Sequence, residues 1–409
     1  MCSVCQDLSE SFFVTGANRP LDGITVISLE HAIAAPFCTR QLADLGARVI
    51  KIERPGSGDF ARSYDERVKG LASHFVWTNR SKESLTLDVK HAEANAVLTR
   101  LLESADVLVQ NLAPGAAARL GLSFAALHES YPRLIVCDIS GYGDSGPYRD
   151  KKAYDLLIQS ESGFLSVTGT PDEPAKAGCS IADISAGMYA YSNILAALIQ
   201  RGKTGKGSRV EVSMLETMAE WMSYPLYYAI DDAAPPQRSG AAHSTIYPYG
   251  PFTAGDGKVV MLGLQNEREW AVFCEKVLLQ PELVADPRYA SNMKRTVARA
   301  EVKILVEQAF AGLSAEQVVA RLDAAGIACA RVNDMHDLWQ HEQLRARARW
   351  VEIDSPAGPL PALLPPGLPD SVHPRMDAIP GLGQHTRGIL IELGYTPDEI
   401  AQLQAAHVV

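Results

Sequence analysis

Six short β-type runs, separated by helix-like segments, dominate the first half of this chain. They are ITVISL (Ile24–Leu29), RVIKIE (Arg48–Glu53), Ser84–Asp88, Asp106–Gln110, LIVCDI (Leu134–Ile139) and Arg209–Ser213. Segments of helical periodicity lie between them: one from the turn at Glu30–Pro36 to about Leu45, one over Ala92–Ser104, a short one after Pro114, and a long one over Ile181–Arg201. Short apolar strands alternating with helices predict a mostly parallel sheet covered on both faces. In such an α/β sheet, ligands sit beyond the carboxyl ends of the strands.

The pattern changes after about Tyr228. Pro235 and Pro236 open a linker, and Tyr247–Gly263 reads as a hairpin turning at Gly255–Gly257. Helices are expected over Glu267–Val277, Thr296–Ala311 and Ala315–Ala325, with a closing strand at Ile327–Val332. These make a smaller α+β unit. A basic helix (HEQLRARARW) then leads into a Pro-rich extended stretch, and a last helix from Thr386 packs back on the large domain. The expected division is 1–228 for the large domain, 229–335 for the small one and 336–409 for the return. No internal repeat is found.

The net charge of −10 over 409 residues argues against nucleic acid as a partner, though a local Lys/Arg cluster can still hold an anionic ligand. No apolar run has the length of a membrane helix. The seven cysteines are scattered, and the Cys2/Cys5 pair has no second pair at zinc spacing, so no metal site is expected. Reduced thiols point to the cytoplasm. Residues 1 to about 18 read as a loose leader.

The most informative stretch runs from Cys179 to Glu216. Asp183 sits in the first turn of a helix whose opening residues are small (Ala182, Ser185, Ala186, Gly187, Ala190), and Gly202 is expected to stop that helix. A carboxylate in that position is either a cap for free N–H groups or a nucleophile beside N–H groups able to hold an oxyanion. Two other motifs do not carry their usual meaning. Gly141–Gly146 matches GxGxxG, but Pro147 and Arg149 follow where a helix should open. GKTGKGS (Gly202–Ser208) joins a helix to a strand, the reverse of a phosphate loop.

Several stretches taken together resemble the family III CoA-transferases (the CaiB/BaiF group). These are PLDGITVISLEHAIAAPFCTRQLADLGARVIKIERPGSGD, SLTLDVK, NLAPGAAARLGLS, ISGYGDSGPYRDKKAYD and IADISAGMYA, and the resemblance covers Pro20 to about Leu393. It implies a large doubly wound domain, a small domain, and an interlocked homodimer. It also implies a coenzyme A thioester as substrate, with no permanently bound cofactor.

The family's nucleophile falls on Asp183, which favours the second reading of that residue. The resemblance places His31, Ala32 and Ile33 at the thioester, with Ile33 standing where many members have Gln. Ordinary core is the alternative for Ile33. Arg54, Leu87, Asp88, Val89, Lys90, Asn111, Arg119 and Lys152 are expected on the CoA nucleotide and phosphates, while Tyr154 and Asp155 fall in the loop before the active-site helix. Acyl-CoA racemases of the same superfamily carry GHD where this chain has AYD; a phenol, of pKa about 10 in water, is a poor base near neutral pH. Among transferases, the branch handling small dicarboxylic acyl groups is the most similar. ASHFVWTNRSKESLTLDVK suggests a mesaconyl-CoA C1–C4 transferase, and a succinyl-CoA:dicarboxylate transferase is the alternative. Arg62, Lys82 and His243 are candidate cations for the free carboxylate.

Overall fold

The computed structural model describes residues 19–409. Cys2, Cys5 and the leader lie outside the described residues. The chain divides into two units. One takes the described residues up to Ile158, Cys179–Glu220 and Arg347–Val409; the other takes Gln159–Gly178 and Trp221–Ala346.

The first unit is built on a six-stranded sheet of β1 (Thr25–Leu29), β2 (Arg48–Glu53), β3 (Lys82–Thr86), β4 (Val107–Gln110), β5 (Ile135–Ser140) and β6 (Arg209–Ser213). The order is β3-β2-β1-β4-β5-β6 and every pair is parallel. The direction of winding reverses between β1 and β4, which makes the crevice beyond those two strands the expected ligand position. β3 starts two residues earlier than its apolar pattern predicts. The reason is Lys82: its ammonium is fully buried against Glu30, so a strand position looks polar in the sequence.

Helices α1 (Ala34–Asp44), α2 (Ala94–Glu103) and α3 (Ile181–Thr204) belong to this unit. The small residues of α3 let it lie close to α1. A Cβ added to Gly187 would stand 2.7 Å from the Ala34 carbonyl oxygen. Gly202 does not stop α3. The helix continues through it to Thr204 and ends at Gly205, whose φ of 73° only glycine adopts without strain. The GKTGKGS stretch is a helix-to-strand turn, and no helix opens after Gly141–Gly146 before Asp155.

Residues 375–408 cover the β3 edge that would otherwise be open. His385 and Ser84 exchange two hydrogen bonds, Thr386 Oγ1 accepts the Thr86 N–H, and the Val408 carbonyl accepts the Asp88 N–H. The last helices, Thr386–Glu392 and Pro397–Ala405, bury Ile389, Leu390, Ile400 and Leu403 in the same core as Leu85, Val97 and Leu108.

The second unit holds an antiparallel sheet of β7 (Tyr249–Thr253), β8 (Val259–Gly263) and β9 (Ala328–Arg331). Its core gathers Phe252, Trp270, Phe273, Val306, Phe310 and Leu322. The helix expected over Glu267–Val277 changes to a π segment at Phe273–Leu278. The expected basic helix over HEQLRARARW is shorter than expected and covers only Glu342–Ala346. Met335–Trp339 and Glu342–Ala346 are separate short helices. Trp350 then begins strand β10 (Trp350–Ile353) of the first unit, which pairs antiparallel with β11 (Leu360–Leu363). Among the described residues no helix is long and apolar enough to cross a membrane.

Candidate active site

The loop between β1 and α1 and the end of β4 meet at the point where winding reverses. His31 and Asn111 clasp there: the His31 N–H donates to Asn111 Oδ1 and Asn111 Nδ2 donates to the His31 carbonyl, each at 2.9 Å. Asn111 therefore holds the loop in place. Next to it Ala32 sits at φ 61°, a left-handed conformation that strains a residue with a Cβ. Its N–H is held by Asp59 Oδ1 at 3.0 Å.

Beneath this loop lies a buried set of charges. Glu30 takes Lys82 at 2.7 Å, Lys51 at 3.3 Å and the Thr39 hydroxyl at 2.6 Å, while Lys51 also takes Asp59 at 2.6 Å. Burial works against the Glu30 charge, yet the two lysines outweigh it and pull the acid down to about 2. The His31 ring tilts on Phe60 with centroids 4.9 Å apart. Burial lowers its pKa, and its Nδ1 is shielded without a hydrogen-bond partner among the described residues. Ile33 is only 3% exposed and packs as core, the alternative weighed for it.

Asp183 lies in the first turn of α3, but it does not cap the helix. Asp155 does: its Oδ1 accepts the N–H of Ala182 at 2.8 Å and of Asp183 at 3.3 Å. Those two N–H groups are accordingly not free to hold an oxyanion. Among the described residues nothing donates a hydrogen bond to the Asp183 carboxylate. Burial, followed by the like charge of Asp155, pushes its pKa from 3.8 up to about 7. The Tyr64 phenol is pushed up by burial and then by the charges of Asp59 and Asp183, so the β2 loop and the start of α3 surround one space. Tyr154, in the position where the racemase motif has histidine, is largely exposed.

The expected nucleotide contacts fall into two groups. Arg54, Arg119 and Lys152 are exposed. The Arg54 guanidinium lies over the Phe60 ring at 4.5 Å, and Arg119 folds back over Gly115. Neither forms an ion pair among the described residues, so both remain open to a phosphate. Leu87, by contrast, is 1% exposed and belongs to the core, and Val89 packs against that core. Of that stretch, Lys90 is exposed and Asp88 and Val89 are partly buried. The cations proposed for a free carboxylate are engaged. Arg62 binds Glu53 through two bonds of 2.8 Å, and Lys82 is spent on Glu30, Pro36 and Asn79. His243, in the second unit, accepts the N–H groups of Thr245 and Ile246 at Nδ1.

The profile of CoA-transferase family III matches residues 21–386. The chain belongs to this family. The mouse succinyl-CoA:glutarate CoA-transferase is 32% identical over 96% of this chain and 90% of its own. The Chloroflexus aurantiacus succinyl-CoA–D-citramalate CoA-transferase is 32% identical over 96% of this chain and 98% of its own. A crystal structure of a CAIB/BAIF family protein from Brucella suis superposes with a TM-score of 0.81 at 32% identity, covering 92% of this chain and all of the other.

In this CoA-transferase, the residues that sequence reasoning missed are the charges under the loop. No motif marks Glu30, Lys51 or Asp59. One signal is available: RVIKIE puts a lysine inside a strand expected to be buried on both faces. Such a cation needs a buried acid nearby. Glu30, one residue past β1, and Asp59, six past β2, are the available partners.

Proposed function

We propose that this CoA-transferase moves CoA between the carboxylates of small dicarboxylic acids through Asp183. The observation that carries the reading is the desolvated carboxylate of Asp183, free of capping duty and pushed up to about 7 at the start of α3. A carboxylate of raised basicity is a better nucleophile than one in water, and it is ionised at slightly alkaline pH. Its oxygen attacks the thioester carbonyl, the C–S bond breaks, and CoA leaves as thiolate with a mixed anhydride left on Asp183. The thiolate then attacks the aspartyl carbonyl, which releases the donor acid and leaves an aspartyl-CoA thioester. The acceptor carboxylate attacks that thioester and frees the thiolate. Attack of the thiolate on the acceptor's acyl carbon gives the new acyl-CoA and regenerates Asp183. One thioester is exchanged for another, so no nucleotide hydrolysis is required.

The partly buried His31 Nδ1, without a partner among the described residues, is a polar group that a ligand at this loop would satisfy. Arg54 and Arg119 supply cations for the CoA phosphates. The dicarboxylate preference rests on the glutarate and citramalate enzymes it resembles. Within the second unit, Trp221, Tyr224, Leu226, Tyr227, Tyr228 and Ile230 expose an apolar strip along one short segment. That strip supports a homodimer in which a second copy covers it.

The test is turnover of succinyl-CoA with a panel of C4–C5 dicarboxylates, followed by product mass. Formation of the acceptor's CoA ester that depends on added acid supports transfer between molecules. Conversion of mesaconyl-C1-CoA to the C4 isomer without added acid would show intramolecular transfer instead. Exchange of an α-proton in heavy water without acyl exchange would support a racemase.

A further inference from the structure

We infer that Asp59 is a positioning residue for the acyl transfer, holding the strained β1–α1 loop in its working shape. The inference rests on the reading that this loop borders the thioester. One carboxylate makes three commitments. Oδ1 accepts the Ala32 N–H at 3.0 Å and the Ala61 N–H at 2.9 Å, and Oδ2 takes the Lys51 ammonium at 2.6 Å. The first bond pins the left-handed residue of the loop, Ala32 at φ 61°. The second caps the short helix Phe60–Ser63, which carries the ring that contacts both His31 and Arg54. The third fixes the carboxylate itself, because Lys51 is fully buried and anchored on Glu30.

The consequence is a rigid link between two surfaces that would otherwise move independently. His31 and Ala32 sit on one, Phe60 and Arg54 on the other. A left-handed alanine is sterically strained and persists only where its surroundings over-determine it. Asp59 and the His31–Asn111 clasp provide that determination. Without Asp59, Ala32 can relax to a commoner conformation and shift the His31 backbone.

The experiment compares wild type with Asp59→Ala, which removes the Oδ1 acceptor, and with Asp59→Ala combined with Ala32→Gly. For Asp59→Ala the expected result is a kcat lower by about 10²-fold, as for a misplacement of about 1 Å, with KM for acyl-CoA changed less than threefold. Glycine visits the left-handed region without a steric cost. The combined variant should therefore recover at least tenfold of the lost kcat, which a purely structural role for Asp59 would not produce. Should Asp59→Ala fail to fold because Lys51 keeps only Glu30, the charge-balanced Asp59→Ala, Lys51→Met pair takes its place, again with and without Ala32→Gly. An unchanged kcat in a folded Asp59 variant, or a loss that Ala32→Gly does not relieve, overturns the inference. Absence of any acyl exchange by wild type would instead overturn the underlying reading, so the two failures are distinguishable.

Discussion

Asp155 caps the helix that carries Asp183, and its charge helps to keep the Asp183 carboxyl protonated up to about pH 7. One acid thus frees the other from structural duty and raises its basicity. kcat/KM should rise through about pH 7 as a single group loses its proton. Asp155→Asn retains an oxygen for the cap and removes the like charge. Its acid limb should move to lower pH, because the charge that raised the Asp183 pKa is gone. Because the folded pKa lies above the unfolded 3.8, the stabilisation of protonated Asp183 is complete below that value and is lost as pH rises through about 7. Asp183→Asn should accordingly match or exceed wild type in Tm at pH 8 while showing no turnover.

The end of α3 gives a discriminating pair of substitutions. Gly202 lies inside the helix with nothing within 4 Å of an added Cβ, so Gly202→Ala should stabilise by about 0.5–1 kcal/mol. Gly205 caps the helix at φ 73°, so Gly205→Ala should destabilise by about 1 kcal/mol. Urea denaturation of both variants measures the two signs.

Arg54 and Arg119 carry no ion-pair partner among the described residues and are the cations proposed for the CoA phosphates. Arg54→Ala and Arg119→Ala should each raise KM for acyl-CoA roughly 5- to 10-fold with kcat little changed. The effect should shrink as salt is added, because these charges are exposed. A fall in kcat at constant KM would place them elsewhere in the reaction.

Glu30→Gln removes the acid shared by two buried lysines. Breaking such a pair while leaving a buried charge costs about 3–5 kcal/mol. The Glu30 pKa is depressed to about 2, so its contribution is present above the ordinary 4.5 and is lost as pH falls through 2. The stability gap between wild type and Glu30→Gln should therefore be largest at neutral pH and close in strong acid.

Much of the large sheet was legible in the sequence because apolar β runs and helical periodicity alternate cleanly. β2 and β6 fall on their expected residues, and β1, β4 and β5 within a residue or two. β3 was displaced because Lys82 hides a buried strand position behind a charge. The helix end at Gly205 was misplaced because glycine's freedom allows a helix to pass through Gly202 as well as to stop there. The site was legible only in part. The family resemblance, rather than side-chain type, singled out Asp183, Arg54 and Arg119 as candidates. It could not show that Asn111 clasps His31, that Ile33 and Leu87 are core, or that Arg62 and Lys82 are already paired, since each depends on partners far along the chain.

The most direct measurement is mass spectrometry of the enzyme quenched with borohydride during turnover of an acyl-CoA. The account predicts that the peptide holding residue 183 carries Asp183 reduced to homoserine, and that Asp183→Ala yields no such product. Acyl exchange proceeding with that peptide unmodified, or with the label on another residue, would contradict it.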